Sequence, residues 1–212
     1  DHIPLREIER ANLRNHLAVV SQSVTLFNDS IARNIAYGGL SGAGADAVRE
    51  AARDAQALQF IEALPDGFDT LVGDNGVLLS GGQRQRCMIA LALVCKPKII
   101  IADEPTTALD VTLQKQILEL MNDLKKESNT SLIIISHDLD LIKNYSDHVL
   151  IMKDGIEIEY NSTEDIFNNA KHQYTKELMS FQNQVIIKNE FKKNIVLDVE
   201  NLKFCYPVKK RI

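Results

Sequence analysis

Apolar residues recur along the chain with two different periods. Residues 16–21 form a short β-branched run, strand-like, that leads into Gln22 and a loop. Short and then longer helical segments follow through Leu64, with Ala51, Ala55, Leu58 and Ile61 at helical spacing, until Pro65-Asp66-Gly67 breaks the pattern. Ser80, Gly81 and Gly82 precede an apolar-faced helix to Val94, and Pro97 ends it before a buried strand at residues 98–102. Helix and strand then alternate. Residues 111–127 read as an amphipathic helix and 131–136 as a second buried strand. Residues 149–153 and 156–160 read as a hairpin closed by Asp154-Gly155. The runs 99–102 and 132–135 are apolar at successive positions, the pattern of parallel strands covered on both faces, so the expected class is α/β.

Toward the end, Ser162 to Asp165 fits a capping box for a late helix. Residues 183–194 are polar and rich in lysine and read as a linker, and residues 195–206 start a new strand.

Composition narrows the class. With 212 residues, 45% apolar and 25% charged, the chain can bury a substantial core. A formal net charge of -5 weighs against a surface that neutralises nucleic-acid phosphates or anionic lipid, so no nucleic-acid partner and no direct membrane insertion are expected. No apolar run reaches the roughly 20 residues of a membrane span, and no leader pattern opens the sequence. Cys87, Cys95 and Cys205 lack metal-site spacing and read as reduced packing residues.

The basic residues change type along the chain. Residues 1–86 hold eight arginines and no lysine, whereas residues 87–212 hold fifteen lysines and one arginine. Alanine follows the same break, with twelve in the first stretch and five in the longer second one. Ordinary surfaces use both cations, so the break reads as two sources joined near residue 86.

The candidate chemistry lies in four ordered places. Leu79-Ser80-Gly81-Gly82-Gln83 opens a helix, where two glycines let backbone N–H groups approach an anion and Ser80 adds a hydroxyl. The strand at 99–102 ends in Asp103-Glu104, which puts one carboxylate where it can hold magnesium and a second beside a bond to be broken. Pro105, Thr106, Thr107, Ala108, Leu109 and Asp110 follow. The second strand ends in Ser136-His137-Asp138.

In this order the residues resemble the ATP-binding cassette (ABC) ATPases, with the signature at 79–83, the Walker B acids at Asp103 and Glu104, the D-loop at 108–110 and the switch histidine at His137. Gln22, in Val20-Ser21-Gln22, matches the family's Q-loop glutamine, which lies next to the coupling contact with the membrane domain. The resemblance implies ATP and Mg2+ as cofactors. It makes Glu104 and His137 catalytic, and Gln22, Ser80, Gly81, Gly82, Gln83 and Asp110 nucleotide-binding, with Asp103 (through water) and Gln22 on the metal. It further implies transmembrane permease domains and a second ABC ATPase domain as partners, at the cytoplasmic face of a bacterial inner membrane. His2, His16, His148 and His172 read as surface or packing residues.

No stretch of the 212 residues matches G-x-x-x-x-G-K-[ST]. The nearest, residues 39–46, places Ala45 and Asp46 at the Lys and Ser/Thr positions and reads as a flexible loop. The expected fold is thus a partial P-loop NTPase fold without its phosphate loop and inactive alone. A helical signature subdomain spans about 23–96, a catalytic core 97–160 and C-terminal helices 161–182. The linker 183–194 follows, and then the start of a second, truncated ATPase domain at 195–212.

Residues 1–86 resemble lipid A and multidrug exporters, notably in Leu26-Phe27-Asn28-Asp29-Ser30-Ile31. Residues 87–212 resemble dipeptide and oligopeptide importers, notably in His172-Gln173-Tyr174-Thr175-Lys176 and in the opening of a second fused ATPase. Peptide import is expected slightly ahead of export. Chromosome-maintenance ATPases insert long heptad coils that this sequence lacks, and a non-catalytic interaction fragment is the alternative of another class.

Overall fold

A computed structural model describes residues 4–23, 25–38, 42–107, 109–127 and 130–184. The expected linker beyond Gln184 and the strand at 195–206 lie outside the described residues, as do His2, Ala108 and Cys205.

Helix α1 (Arg10–His16) feeds directly into strand β1 (Leu17–Val20). The sequence pattern predicts no helix at α1, and His16 belongs to its end instead of opening the strand. Its Nδ1 lies 2.8 Å from the Asn12 carbonyl. A helical lobe follows, made of α2 (Ile31–Ile35), α3 (Ala45–Asp54), α4 (Leu58–Glu62) and α5 (Gly81–Leu93). Ala45 and Asp46 therefore sit in the first turn of α3 and not in a loop.

Strand β2 (Ile99–Asp103), helix α6 (Val111–Glu127) and strand β3 (Ser131–Ile135) complete the first unit. The three strands form one parallel sheet in the order β1-β2-β3, with Val20 opposite Ala102 and Ala102 opposite Ile134. Parallel pairing needs crossover connections, which the helical lobe and α6 supply.

The inner face of this sheet carries Ala18, Val20, Ile100 and Ala102, which join one core with Ile89 and Leu93 of α5 and Ile117, Met121 and Leu124 of α6. The outer face is open, so strand runs that are apolar at successive positions are covered on one face only. Val19 is 58% exposed, Ile133 50% and Ile135 49%.

A second, smaller unit is built on the antiparallel hairpin of β4 (His148–Lys153) and β5 (Ile156–Ser162), which turns through Asp154-Gly155 with both residues at positive φ. Helices α7 (Leu139–Tyr145), α8 (Thr163–Asn169) and α9 (Gln173–Gln184) accompany it. Val149, Ile151, Ile166 and Met179 form its core. Ser162 caps α8 by accepting the Asp165 N–H at 3.2 Å. The reciprocal arm of a capping box differs, because Asp165 accepts the Ser162 hydroxyl and the Ser162 N–H goes to Asn161. Helix α9 runs through Asn183 and Gln184, the first two positions of the expected linker.

Candidate functional site

The parallel register brings the carboxyl ends of all three strands to one edge of the sheet, the edge where open α/β sheets place ligands. Gln22 follows β1, Asp103 ends β2 with Glu104 next, and Ser136-His137-Asp138 follows β3. Sequence spacing alone predicts that the acids and the histidine lie at strand ends; the sheet order makes those ends neighbours.

Glu104 is the centre of the arrangement. Its backbone is left-handed at φ 48°, unusual for a side chain of this length. Its N–H donates to the Ile135 carbonyl at 2.9 Å, which ties the end of β2 to the end of β3. One carboxylate oxygen, Oε1, lies 2.6 Å from His137 Nδ1, and the other accepts the Thr107 hydroxyl. These hydrogen bonds, Thr107 first and His137 second, hold the Glu104 carboxyl below the usual carboxylate range. The same contact with Glu104 raises the His137 pKa.

The residue after His137 is fixed at the start of α7. Asp138 donates its N–H to the Ser136 hydroxyl at 3.0 Å and caps α7 by accepting from Asp140 and Leu141. Gln114 of α6 reaches Asp138 at 3.4 Å.

The signature residues form a second group at the start of α5. Ser80 accepts the Gln83 N–H at 3.3 Å and Gln83 accepts the Ser80 N–H at 2.9 Å, a complete capping box. Gly81 and Gly82 occupy the first turn. A Cβ at Gly82 would stand 2.9 Å from Leu113 Cδ2, so a larger residue there would make the end of the Leu113 side chain shift where α5 meets α6. Among the described residues no hydrogen bond or ion pair joins Ser80 to Gln83 with Asp103, Glu104 or His137. Asp110, expected at the nucleotide, caps α6 by accepting from Thr112 at 3.1 Å and Leu113 at 3.0 Å.

Sequence reasoning passes over Thr107 and Asn34. Asn34 is buried in α2 and latches the loop after Gln22: it accepts the Phe27 N–H at 2.8 Å and donates to the Phe27 and Ser30 carbonyls, each at 3.0 Å. A cavity of about 920 Å3 opens beside this loop, edged by Phe27, Arg33, Tyr37, Arg49 and Phe68. Phe27 and Tyr37 stack at its rim with ring centroids 4.0 Å apart.

The family profile described as ABC transporter matches residues 1–107, half of the chain, a span that includes Gln22, residues 79–83, Asp103 and Glu104. The chain belongs to the ABC transporter family. This ABC chain is 50% identical over 155 residues to an ATP-dependent lipid A-core flippase of Methylococcus capsulatus, which covers 73% of this chain and 25% of that protein. It is 44% identical over 172 residues to an ATP-dependent lipid A-core flippase of Pseudomonas aeruginosa, covering 81% of this chain and 28% of the relative. Among solved structures, a bacterial Atm1-family ABC exporter with ATP bound superposes with a TM-score of 0.71 at 36% identity, over 84% of this chain and 30% of that one.

The ABC chain thus spans about a quarter to a third of the proteins it matches. An alignment of 155 residues runs well past residue 86, so likeness to the flippases is not confined to the arginine-rich stretch. The findings favour the exporter alternative over the peptide-import expectation, for which these relatives give no support. Among the described residues no helix is long and apolar enough to cross a membrane.

Proposed function

We propose that this chain supplies part of the ATPase domain of an exporter-type ABC transporter, and that Glu104 is the base that activates water for attack on the γ-phosphate of ATP. The observation that carries the reading is the Glu104–His137 pair at 2.6 Å, beside Asp103, on the carboxyl edge of the parallel sheet. As the water oxygen bonds to the γ-phosphorus, the bond to the β-phosphate oxygen breaks and Glu104 takes the proton, leaving ADP and phosphate. His137 orients Glu104 and meets the γ-phosphate.

Asp103 and Gln22 fit magnesium, a hard cation that protein sites commonly hold through one or two carboxylates while phosphate and water supply the rest. No group of three His, Cys, Asp or Glu side chains gathers among the described residues, so a protein-only cage is not offered. Bound there, magnesium would draw charge from the transferring phosphoryl group. The phosphate-cradling lysine of such a site is not among these 212 residues.

The proposed partners follow from two surfaces. Ser80, Gly81, Gly82 and Gln83, at a helix start and with no hydrogen bond to the acids among the described residues, would meet nucleotide held by a second ATPase domain. The aromatic-rimmed cavity beside the Asn34 latch suits a segment of a membrane domain, and that reading would put the chain at the cytoplasmic face of the membrane. The lipid A-core flippases give the substrate class to test first, a lipid with a polar head.

The test compares turnover of the 212-residue chain alone with that of a longer polypeptide carrying these residues and a phosphate-binding loop. The chain alone should show no ATP hydrolysis above a Glu104→Gln background. In the longer protein Glu104→Gln should lose roughly 100-fold or more in kcat while still binding ATP. An unchanged rate there removes Glu104 from the chemistry.

A further inference from the structure

The turn after β2 does more than reverse the chain. Pro105 and Thr106 are buried, which fixes the path from Glu104 to Thr107. The Thr107 N–H donates to the Glu104 carbonyl at 3.3 Å and closes the turn, while the Glu104 N–H is fastened to Ile135. These contacts set the Thr107 hydroxyl against Glu104 Oε2 at the same time as His137 Nδ1 stands against Oε1.

A glutamate held through one oxygen alone is free to turn about its terminal torsion and lose that contact. Two donors, one on each oxygen and carried by different elements, fix the plane of the carboxylate. Each oxygen has two lone pairs, so the arrangement leaves one on each to receive a water proton.

We propose that Thr107 is a positioning residue for Glu104, whose hydroxyl fixes the carboxylate plane so that Oε1 stays on His137 and a lone pair stays aimed outward. The inference rests on the reading of Glu104 as the base, and it adds a second holder to the histidine. Productive proton transfer depends on such orientation, and a loosened carboxylate spends less time aligned.

The clamp is measured without turnover. In the 15N-labelled 212-residue chain with the imidazole neutral, the ring nitrogen shifts of His137 report its partner, and Glu104→Ala gives the position for a broken pair. Thr107→Val, which keeps shape and loses the hydroxyl, should move His137 most of the way to that position, while Thr107→Ser should stay with the unsubstituted chain. Methyl signals of Ile134 and Ile135 show whether the fold is kept, and Thr107→Ala is read in the same way should the valine variant unfold. A Thr107→Val spectrum superposed on the unsubstituted one, or Thr107→Ser moving as far as valine, overturns the proposal.

In the longer, ATP-hydrolysing polypeptide Thr107→Val should lower kcat roughly tenfold, the loss of a hydrogen bond to a charged group, with KM for ATP unchanged. A raised KM at constant kcat would overturn positioning. If Glu104→Gln leaves turnover intact, the base reading fails while the His137 shifts still decide the clamp.

Discussion

Replacing Asn34 with alanine tests how the loop after Gln22 is held. Asn34 is 2% exposed, and its amide makes three short hydrogen bonds to the backbone of Phe27 and Ser30. Each is worth about 0.5–1.5 kcal/mol net, and backbone groups left unpaired cost more, so the loss should be about 2–4 kcal/mol. That is a large share of a typical domain stability of ~5–15 kcal/mol. With a urea slope of about 2 kcal/mol per molar, the midpoint should fall by about 1–2 M.

Asn34→Asp discriminates the cause. It keeps the acceptor for Phe27 N–H but points a buried carboxylate at two carbonyl oxygens, so at neutral pH it should be worse than alanine. The carboxyl pKa is then raised in the folded state, so protonation on acidification stabilises the fold and the deficit narrows as pH falls. Urea melts at several pH values, with hydrogen exchange read over residues 25–30, give both results. An alanine variant within about 0.5 kcal/mol of the parent would show that water replaces the latch and that the reasoning is wrong.

Gly76→Ala should destabilise by about 2–4 kcal/mol, because Gly76 sits at φ 70° and its Cβ would stand 2.8 Å from Arg84 Cδ and 3.0 Å from Leu26 Cδ1. Gly42→Ala, with nothing within 4 Å, should be near neutral; equal urea midpoints for the two would refute the crowding argument. His137 should titrate above an ordinary histidine by NMR and drop back in Glu104→Gln. Its raised pKa makes the pair stabilising below the unfolded histidine pKa and lost as pH rises through the folded one. The lowered Glu104 pKa makes it stabilising above the unfolded carboxyl pKa and lost as pH falls through the folded one, so the pair contributes most between about 4.5 and 6.5. The open sheet face should make the chain self-associate. Ile133→Thr, on a half-exposed side chain, should cost under about 1 kcal/mol yet reduce association in sedimentation, and an unchanged distribution would point to another surface.

The sequence pattern reads best where local signals agree. Helix α6 has the expected bounds because seventeen residues keep one amphipathic period between Asp110, its cap, and residue 127. The hairpin is legible from Asp154-Gly155, two residues that tolerate the positive φ the turn needs. The acids at the end of β2 are legible as a motif. Helices α1 and α7 are missed because seven residues give barely two periods, and Asp138, noted only as the residue after His137, is the cap that starts α7. Apolar runs show that β2 and β3 can be covered on both faces. They do not show whether a covering layer is there, since that depends on contacts distant in sequence. Thr107 and Asn34 escape for the same reason: a hydroxyl or an amide carries no period, and its partner is known only once the turn has closed.

The geometry separates motif residues that the fold itself needs from those it does not. Ser80 and Gln83 satisfy each other, Gly82 makes room for Leu113, Asp110 starts α6 and Asp138 starts α7, so each of these has a structural reason to be what it is. The side chains of Asp103 and Gln22 make no hydrogen bond or ion pair among the described residues, and the His137 ring hydrogen-bonds there only to Glu104. An exposed carboxylate, an amide and a histidine at one sheet edge add nothing to the core, and Glu104 adopts a strained backbone beside them. Stability does not select that combination. What the four share is an outward-facing edge with oxygen ligands for a cation, a held carboxylate and a ring that can meet a phosphate, so the functional reading rests more firmly on them than on the signature, whose side chains the fold already employs.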